Sequence, residues 1–386
     1  PMRSTTRRKC RTSIRPAGPG SANPWAASAT RRTDSRSRCS DGLLPKGHSL
    51  DEVAVADRIW AMMSGPGTGR PRDDPGRPTV DYRIFVEPQQ GTTYERLLAL
   101  ARRAEELGFD GFFTSDHYLR MGDSDGLPGP TDAWTTLAGL ARDTGRLRLG
   151  TLVTPVTFRH VGSLAVSVAQ VDQMSGGRID LGLGAGWYED EHRAQGLPFP
   201  PLGERFDLLE DALEVLTGMW ATPVGDLFDH TGRRMSVEGS PGLPKPLQQP
   251  GPPIIMGGVG PRRTPRLAAQ YAAEFNVPFA PLAGWEQLVA VVRKACETQD
   301  RDPDDLVYSS AQVVCCGETE STVEERASAI GREPAELRQN GLAGTPDEVR
   351  TKAAEFADVG CSRTYLQVLD DQDLDHLDVL AGALIG

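Results

Sequence analysis

The chain has 386 residues, 38% of them apolar and 25% charged, with a formal net charge of −11. That composition fits a globular protein able to bury a large core, and no uncharged apolar run approaches the ~18 residues needed to cross a bilayer. Residues 1–80 carry 15 basic and 7 acidic side chains, leaving −19 on the remainder, which argues against a nucleic-acid surface and for a small-molecule partner.

Residues 1–47 are rich in Arg, Ser, Thr, Pro and Gly and lack periodic apolar positions, so they are expected to be a disordered tail. A short helix is expected over 51–63 and a Gly/Pro-rich linker over 64–78, which sets residues 1–80 apart as an extension. The natural protein is expected to begin near Met62 or Met63. The six cysteines are scattered, without CxxC pairs, which suits a reducing cytoplasm. Only five of the 42 basic residues are Lys, a bias that reflects genome composition more than chemistry.

From residue 82 a different pattern begins. Short apolar strands are predicted over 83–86, 111–114, 147–153, 179–183, 253–256, 274–277, 306–315 and 363–369. Helices are predicted between them, over 93–107, 132–142, 162–174, 204–220, 262–271, 284–296 and 346–359, with helical pieces over 321–339 and a closing helix at the end. Gly108 is positioned to stop the first of these helices. Residues 221–251 break the alternation and are read as an insertion holding a hairpin near 230–233. Eight strands alternating with helices predict an α/β fold, a (β/α)8 barrel over 81–386, with function at the C-terminal ends of the strands. A doubly wound sheet would place GxGxxG after the first strand, whereas Gly182-Leu-Gly184-Ala-Gly186-Trp187 follows the fourth.

The strand ends hold the unusual residues: Glu87 to Gln90, then Asp116-His117-Tyr118, then Arg159-His160, then Gly184 to His192. A histidine beside an aspartate can serve as general acid or base if the carboxylate fixes its tautomer; the alternative is a structural histidine with its bonds satisfied. Glu189 to His192 lacks metal-ligand spacing and reads as a solvated loop. Asp123-Ser-Asp125-Gly126 resembles a calcium loop, but Trp134 stands where the bidentate Glu belongs, so no metal is expected. Gly182, Gly184 and Gly186 let the backbone pass close to a flat ligand or serve strand packing. Gly257-Gly258-Val259-Gly260 leads into a helix whose first turn carries Arg262 and Arg263, an arrangement suited to an anion.

Taken together, Ser115-Asp116-His117, Leu149 to Pro155, Asp172 to Arg178 and Leu181 to Trp187 with Glu191 resemble the bacterial luciferase-like monooxygenase family. More narrowly they resemble its actinobacterial branch of oxidoreductases dependent on the deazaflavin coenzyme F420. The likeness covers residues 82–370, and Pro253 to Pro261 with Glu274-Phe-Asn276 continue it.

The resemblance implies a cofactor across the barrel mouth and hydride transfer between coenzyme F420 and a small organic substrate, with homodimers common. Asp116 and His117 match the pair beside the reactive ring carbon, and Glu191 is the second choice for proton transfer. Leu152 and Val153 match a bulged non-prolyl cis peptide behind the ring. Ala185 and Gly186 match backbone positions beside it. Gly257, Gly258 and Gly260, with Arg262, match a phosphate-binding turn. Asp172 and Arg178 are read as structural. One departure stands out: the sugar-phosphate dehydrogenases of the family carry a catalytic Glu where this chain has Trp187. The rivals are an FMN-dependent monooxygenase on the same fold and a flavin- or deazaflavin-binding protein without turnover.

Overall fold

The computed structural model describes residues 80–122 and 124–386. The expectations for 1–47, 51–63 and 64–78 lie outside these residues.

Eight strands pair in parallel and close on themselves. They are β1 (Asp81–Val86), β2 (Gly111–Thr114), β3 (Arg148–Thr151), β5 (Ile179–Gly184), β8 (Ile254–Gly257), β9 (Glu274–Pro278), β10 (Val307–Cys316) and β12 (Arg363–Val368). β1 pairs with β2 on one side and β12 on the other, and β10 joins β9 to β12, which closes the ring. The (β/α)8 barrel expected from the alternation is therefore present. Two short strands flank it, β4 (Thr154–Pro155) on β5 and β11 (Leu342–Gly344) on β10.

The period of two along each strand sorts side chains between two cores. Ile84, Phe112, Ile254 and Leu366 face the helix layer, while Phe85, Phe113, Ile255 and Tyr365 fill the barrel with Leu152 packed on them. Below these rings, at the N-terminal ends of the strands, sits a closed set of charges. Arg83 donates to Asp180 at 2.7 Å and to Asp81 at 2.8 Å, Arg148 and Arg363 join the two ends, and Glu274 pairs with Arg363. A barrel so filled leaves only its C-terminal mouth for a ligand.

Local signals place the helices. α1 (Tyr94–Leu107) is capped by the Thr93 side chain, buries Leu97, Leu100, Ala101 and Ala104, and stops at left-handed Gly108. α2 (Ala133–Asp143) starts on Asp132, and α3 (Val161–Ser175) stops at Gly176. α4 (Glu189–Gln195) is a short helix in the segment read as a solvated loop. α5 (Leu202–Ala221) is followed by the hairpin β6 (Phe228–Thr231) and β7 (Ser236–Ser240). Asp211 of α5 accepts the backbone N–H groups of Arg233, Arg234 and Met235, which pins that hairpin to the barrel. The remaining helices are α6 (Arg263–Tyr271), α7 (Leu282–Thr298), α8 (Glu320–Ala329), α9 (Pro334–Asn340), α10 (Pro346–Asp358) and α11 (Leu374–Leu384). Asp172 accepts from the backbone of Leu247 and Gln248, and Arg178 donates to three carbonyls around the α2–β3 corner and to the Ser175 carbonyl at the end of α3, so both tie loops together. Among the described residues no helix is long and apolar enough to cross a membrane.

The third predicted strand is broken: β3 ends at Thr151, the Leu152–Val153 peptide is cis, and β4 resumes at Thr154. The run 147–153 contains no turn residue at the break, so periodicity alone reads it as one strand.

His376 on α11 is buried, and its Nε2 accepts the Cys316 N–H at 2.9 Å. Burial, aided by the nearby Arg326 charge and opposed by Asp373, pushes its pKa down to about 4 from an ordinary 6.5. The unfolded chain therefore takes up this proton first. The resulting stability is fully present above pH 6.5 and lost as pH falls toward 4, amounting to roughly 2 kcal/mol by pH 5. Urea midpoints at pH 7 and pH 5 should fall apart for the wild type and draw together in His376→Gln, which keeps an acceptor but cannot be protonated.

Candidate functional site

β2 delivers His117 to the mouth. Its Nδ1–H donates to both carboxylate oxygens of Glu191, at 2.9 and 3.0 Å, and Glu191 also accepts the Tyr118 N–H at 3.1 Å. Glu191 is fully buried and comes from α4. A donating Nδ1 fixes the tautomer and leaves Nε2 without a partner among the described residues, free to exchange a proton with a bound molecule. Glu191, read from sequence as part of a solvated loop, is thus the carboxylate that orients His117.

Asp116 corrects the sequence reading. Adjacent residues at a strand end point to opposite sides, and the Asp116 carboxylate turns away from the His117 ring. It accepts from Thr154 Oγ1 at 2.8 Å and from Arg159 at 2.5 and 3.2 Å. Arg159 continues to Asp132 and to the Tyr118 hydroxyl. Burial acts to lower the Arg159 pKa, but the charge and hydrogen bond of Asp116, with Tyr118 and Asp132, together outweigh it and hold the guanidinium above its ordinary range. Asp116 therefore braces the loops after β2 and β4. Thr154 lies in the Leu149 to Pro155 motif and Arg159 among the strand-end residues, but their part as partners of Asp116 is visible only once β4 is placed.

Around His117 stand three further side chains. Trp187 meets it edge to face at 5.8 Å and stacks on Tyr188 at 5.2 Å. Tyr188 is itself tethered by its hydroxyl to the Arg120 carbonyl. Glu87, after β1, is the third. Burial pushes its carboxyl above the usual carboxylate range, while the nearby His117 and the Gln90 and Gln89 side chains pull it back.

The backbone elements expected to lie beside a flat ligand do converge. Leu152 and Val153 form the break between β3 and β4, and Leu152 caps the inner core. Gly182 and Gly184 serve that break: a Cβ on Gly182 would lie 2.0 Å from the Thr151 carbonyl, and one on Gly184 2.9 Å from Val153. Ala185 and Gly186 then lead out of β5, with Gly186 at φ +78.

At the end of β8, Gly258 has φ +128, a conformation only glycine adopts readily. Its N–H bonds the Asn276 carbonyl, whereas the N–H groups of Val259, Gly260, Arg262, Arg263 and Thr264 take no partner among the described residues. Arg262 is exposed at the N-cap of α6 and has no ion pair among the described residues. Arg263, counted with it from the sequence, is committed to Asp207 and Glu210 instead. N–H groups at a helix N-terminus beside an exposed guanidinium suit a phosphate.

Comparison with known proteins gives a consistent picture. The model of a family described as luciferase-like monooxygenase matches residues 80–338. The chain is 37% identical over 177 residues to an F420-dependent glucose-6-phosphate dehydrogenase of Microbacterium testaceum, covering 46% of this chain and 50% of that protein. It is 27% identical to the oxygenase component of a flavin-dependent trigonelline monooxygenase of Acinetobacter baylyi, covering 62% of this chain and 65% of the relative. The chain thus spans about half to under two thirds of the length of these curated relatives. The solved structure of an F420-dependent secondary alcohol dehydrogenase with an F420-acetone adduct superposes with a TM-score of 0.70 at 17% identity, over 80% of this chain and 98% of that one, which supports the fold.

Proposed function

The chain belongs to the luciferase-like monooxygenase family, and on that premise we propose that it is an oxidoreductase transferring a hydride between coenzyme F420 and a small organic substrate. The observation that carries the reading is His117, held by Glu191 through Nδ1 with Nε2 free. Two-electron transfer at carbon must be matched by a proton at a neighbouring heteroatom, and this histidine is positioned to handle one. The F420-dependent relative, 37% identical over its matched segment, supports the choice of coenzyme.

The turn Gly257 to Gly260, the first turn of α6 and Arg262 would hold the coenzyme phosphate. Leu152, Val153, Ala185 and Gly186 would line its ring. When bound, the deazaflavin supplies a carbon that accepts or donates a hydride. In the reducing direction, protonated His117 gives its Nε2 proton to the substrate atom gaining charge. In the oxidising direction, neutral His117 takes that proton up. Glu191 holds the ring in place and stabilises the imidazolium, and the loop bracing of Asp116 and Arg159 keeps His117 at the end of β2.

The second reading, an FMN-dependent monooxygenase, is favoured by the trigonelline monooxygenase likeness. Titration of the full chain with oxidised coenzyme F420 and with FMN, followed by fluorescence, separates the two. We expect tighter binding of F420, weakened roughly three- to tenfold in Arg262→Ala because an exposed charged hydrogen bond to phosphate is lost. Preference for FMN would replace the hydride-transfer reading with oxygen chemistry. Binding of neither would remove both.

A further inference from the structure

The exposed apolar side chains after the barrel strands stand out against a chain rich in charge. Leu127 follows β2, Trp187 follows β5, Val259 follows β8 and Phe279 follows β9, at 70%, 65%, 68% and 43% exposure. Large apolar groups left in water at a ligand-binding face usually mark what the ligand covers. Trp187 is the most telling of them, because it alone reaches His117. One of its faces is covered by Tyr188, and the rest of the ring is open.

The charges at the same face point the same way. Glu87 and Glu191 both bear on His117, which disfavours an anion at the reacting corner. The nearby cations are already committed: Arg159 to Asp116 and Asp132, Arg263 to Asp207 and Glu210, and Arg326 to Asp373. Arg120 folds back on the Gly122 carbonyl. Lys245, Lys294 and Lys352, the lysines among the described residues, bind the Met219 carbonyl, Glu297 and the Arg338 carbonyl. Once Arg262 is given to the coenzyme phosphate, Arg120 and Arg205 remain without a carboxylate partner among the described residues, but each is held by a backbone carbonyl, that of Gly122 and of Pro200, and Arg205 lies over the Phe199 ring. A hydrophobic shelf beside a proton donor, without anion recognition, selects by shape and apolarity.

We propose that the substrate is uncharged and mainly apolar, a ring ketone or enone whose flat body lies on Trp187 and whose carbonyl oxygen reaches His117 Nε2. Trp187 is then a specificity residue that replaces the sugar-phosphate preference of the dehydrogenase relatives with a preference for neutral rings. The inference rests on the hydride-transfer reading for its reaction, and on Trp187 and the committed cations for its substrate class.

Saturation-transfer NMR on the full chain tests it, with 1-tetralone and glucose 6-phosphate as probes, each with and without coenzyme F420. The expected result is transfer to the tetralone ring protons and none to the sugar phosphate. Tetralone affinity should fall roughly five- to tenfold in Trp187→Ala and return to within about twofold of wild type in Trp187→Phe. Glucose 6-phosphate binding as tightly as tetralone would overturn the proposal. So would tetralone binding that ignores the substitution or is absent in every sample. A substitution that weakens coenzyme F420 and leaves tetralone unchanged would also overturn it, because Trp187 would then be a coenzyme contact. Coenzyme binding is read in the same samples from its own fluorescence. Its absence alongside Trp187-dependent tetralone binding would sink the hydride-transfer reading and still support the substrate class.

Discussion

Replacing His117 with Ala should lower turnover by a factor of about 10² to 10⁴ while leaving coenzyme affinity within a few fold. The size follows from what the residue would do: it holds the one proton that must move with the hydride, and the turn at Gly258 and Arg262 that would bind the phosphate belongs to another part of the mouth. Glu191→Gln should cost less, because a side-chain amide can still accept from Nδ1. With one hydrogen-bond acceptor in place of two carboxylate oxygens the ring is held less firmly, so turnover should fall while coenzyme affinity is kept, and Glu191→Ala, which leaves no acceptor, should cost more than Glu191→Gln. Steady-state rates and coenzyme titrations of these variants check this. Unchanged turnover in His117→Ala would remove the residue from the reaction.

The barrel was legible because its strands are buried on both faces and its helices on one, so apolar runs of four to ten residues alternate with amphipathic stretches. The mouth was legible only in part. Spacing along the chain located His117, Glu191 and the Gly257 to Arg262 turn, yet it could not assign partners, since side-chain direction at a strand end is set by where the neighbouring strand stops. Asp116 illustrates this: next to His117 in sequence, it spends its charge on Arg159, while the carboxylate that holds His117 comes from 74 residues further on. The same blindness hid the pairing of Arg263 with α5, which is visible only when α5 and α6 are seen side by side. The glycines after β5 were ambiguous for a different reason. A missing Cβ reports close approach without saying what approaches, and for Gly182 it is the Thr151 carbonyl.

The largest effect on stability should come from the opposite end of the barrel. Asp180 is buried and accepts from Arg83 at 2.7 Å and from Arg148 Nε at 3.0 Å, with Arg363 close enough to add its charge. Burial acts to raise its pKa, but Arg148, Arg83 and Arg363 together outweigh that and hold the carboxyl below its usual 3.8. Asp180→Ala leaves two guanidinium groups facing a cavity, one of them on the fully buried Arg83, and removing one partner of a buried pair costs about 3–5 kcal/mol. Arg83 cannot escape by losing its proton, because a guanidinium stays charged in a protein, or by swinging into water, because it is fully buried with its Cζ 5.1 Å from the Phe113 ring and 5.7 Å from the Tyr365 ring. The loss should appear as a drop in thermal midpoint on the order of 5–10 °C. Glu297→Ala, which breaks the exposed pair with Lys294, should leave the midpoint unmoved. The pH dependence gives an independent reading. A folded pKa below the unfolded one means that the Asp180 contribution is present above pH 3.8 and is lost as pH falls below it, so the gap between wild type and Asp180→Ala should narrow in acid and be widest near neutrality. A gap that persists unchanged through acid would assign the loss to the cavity rather than to the charge.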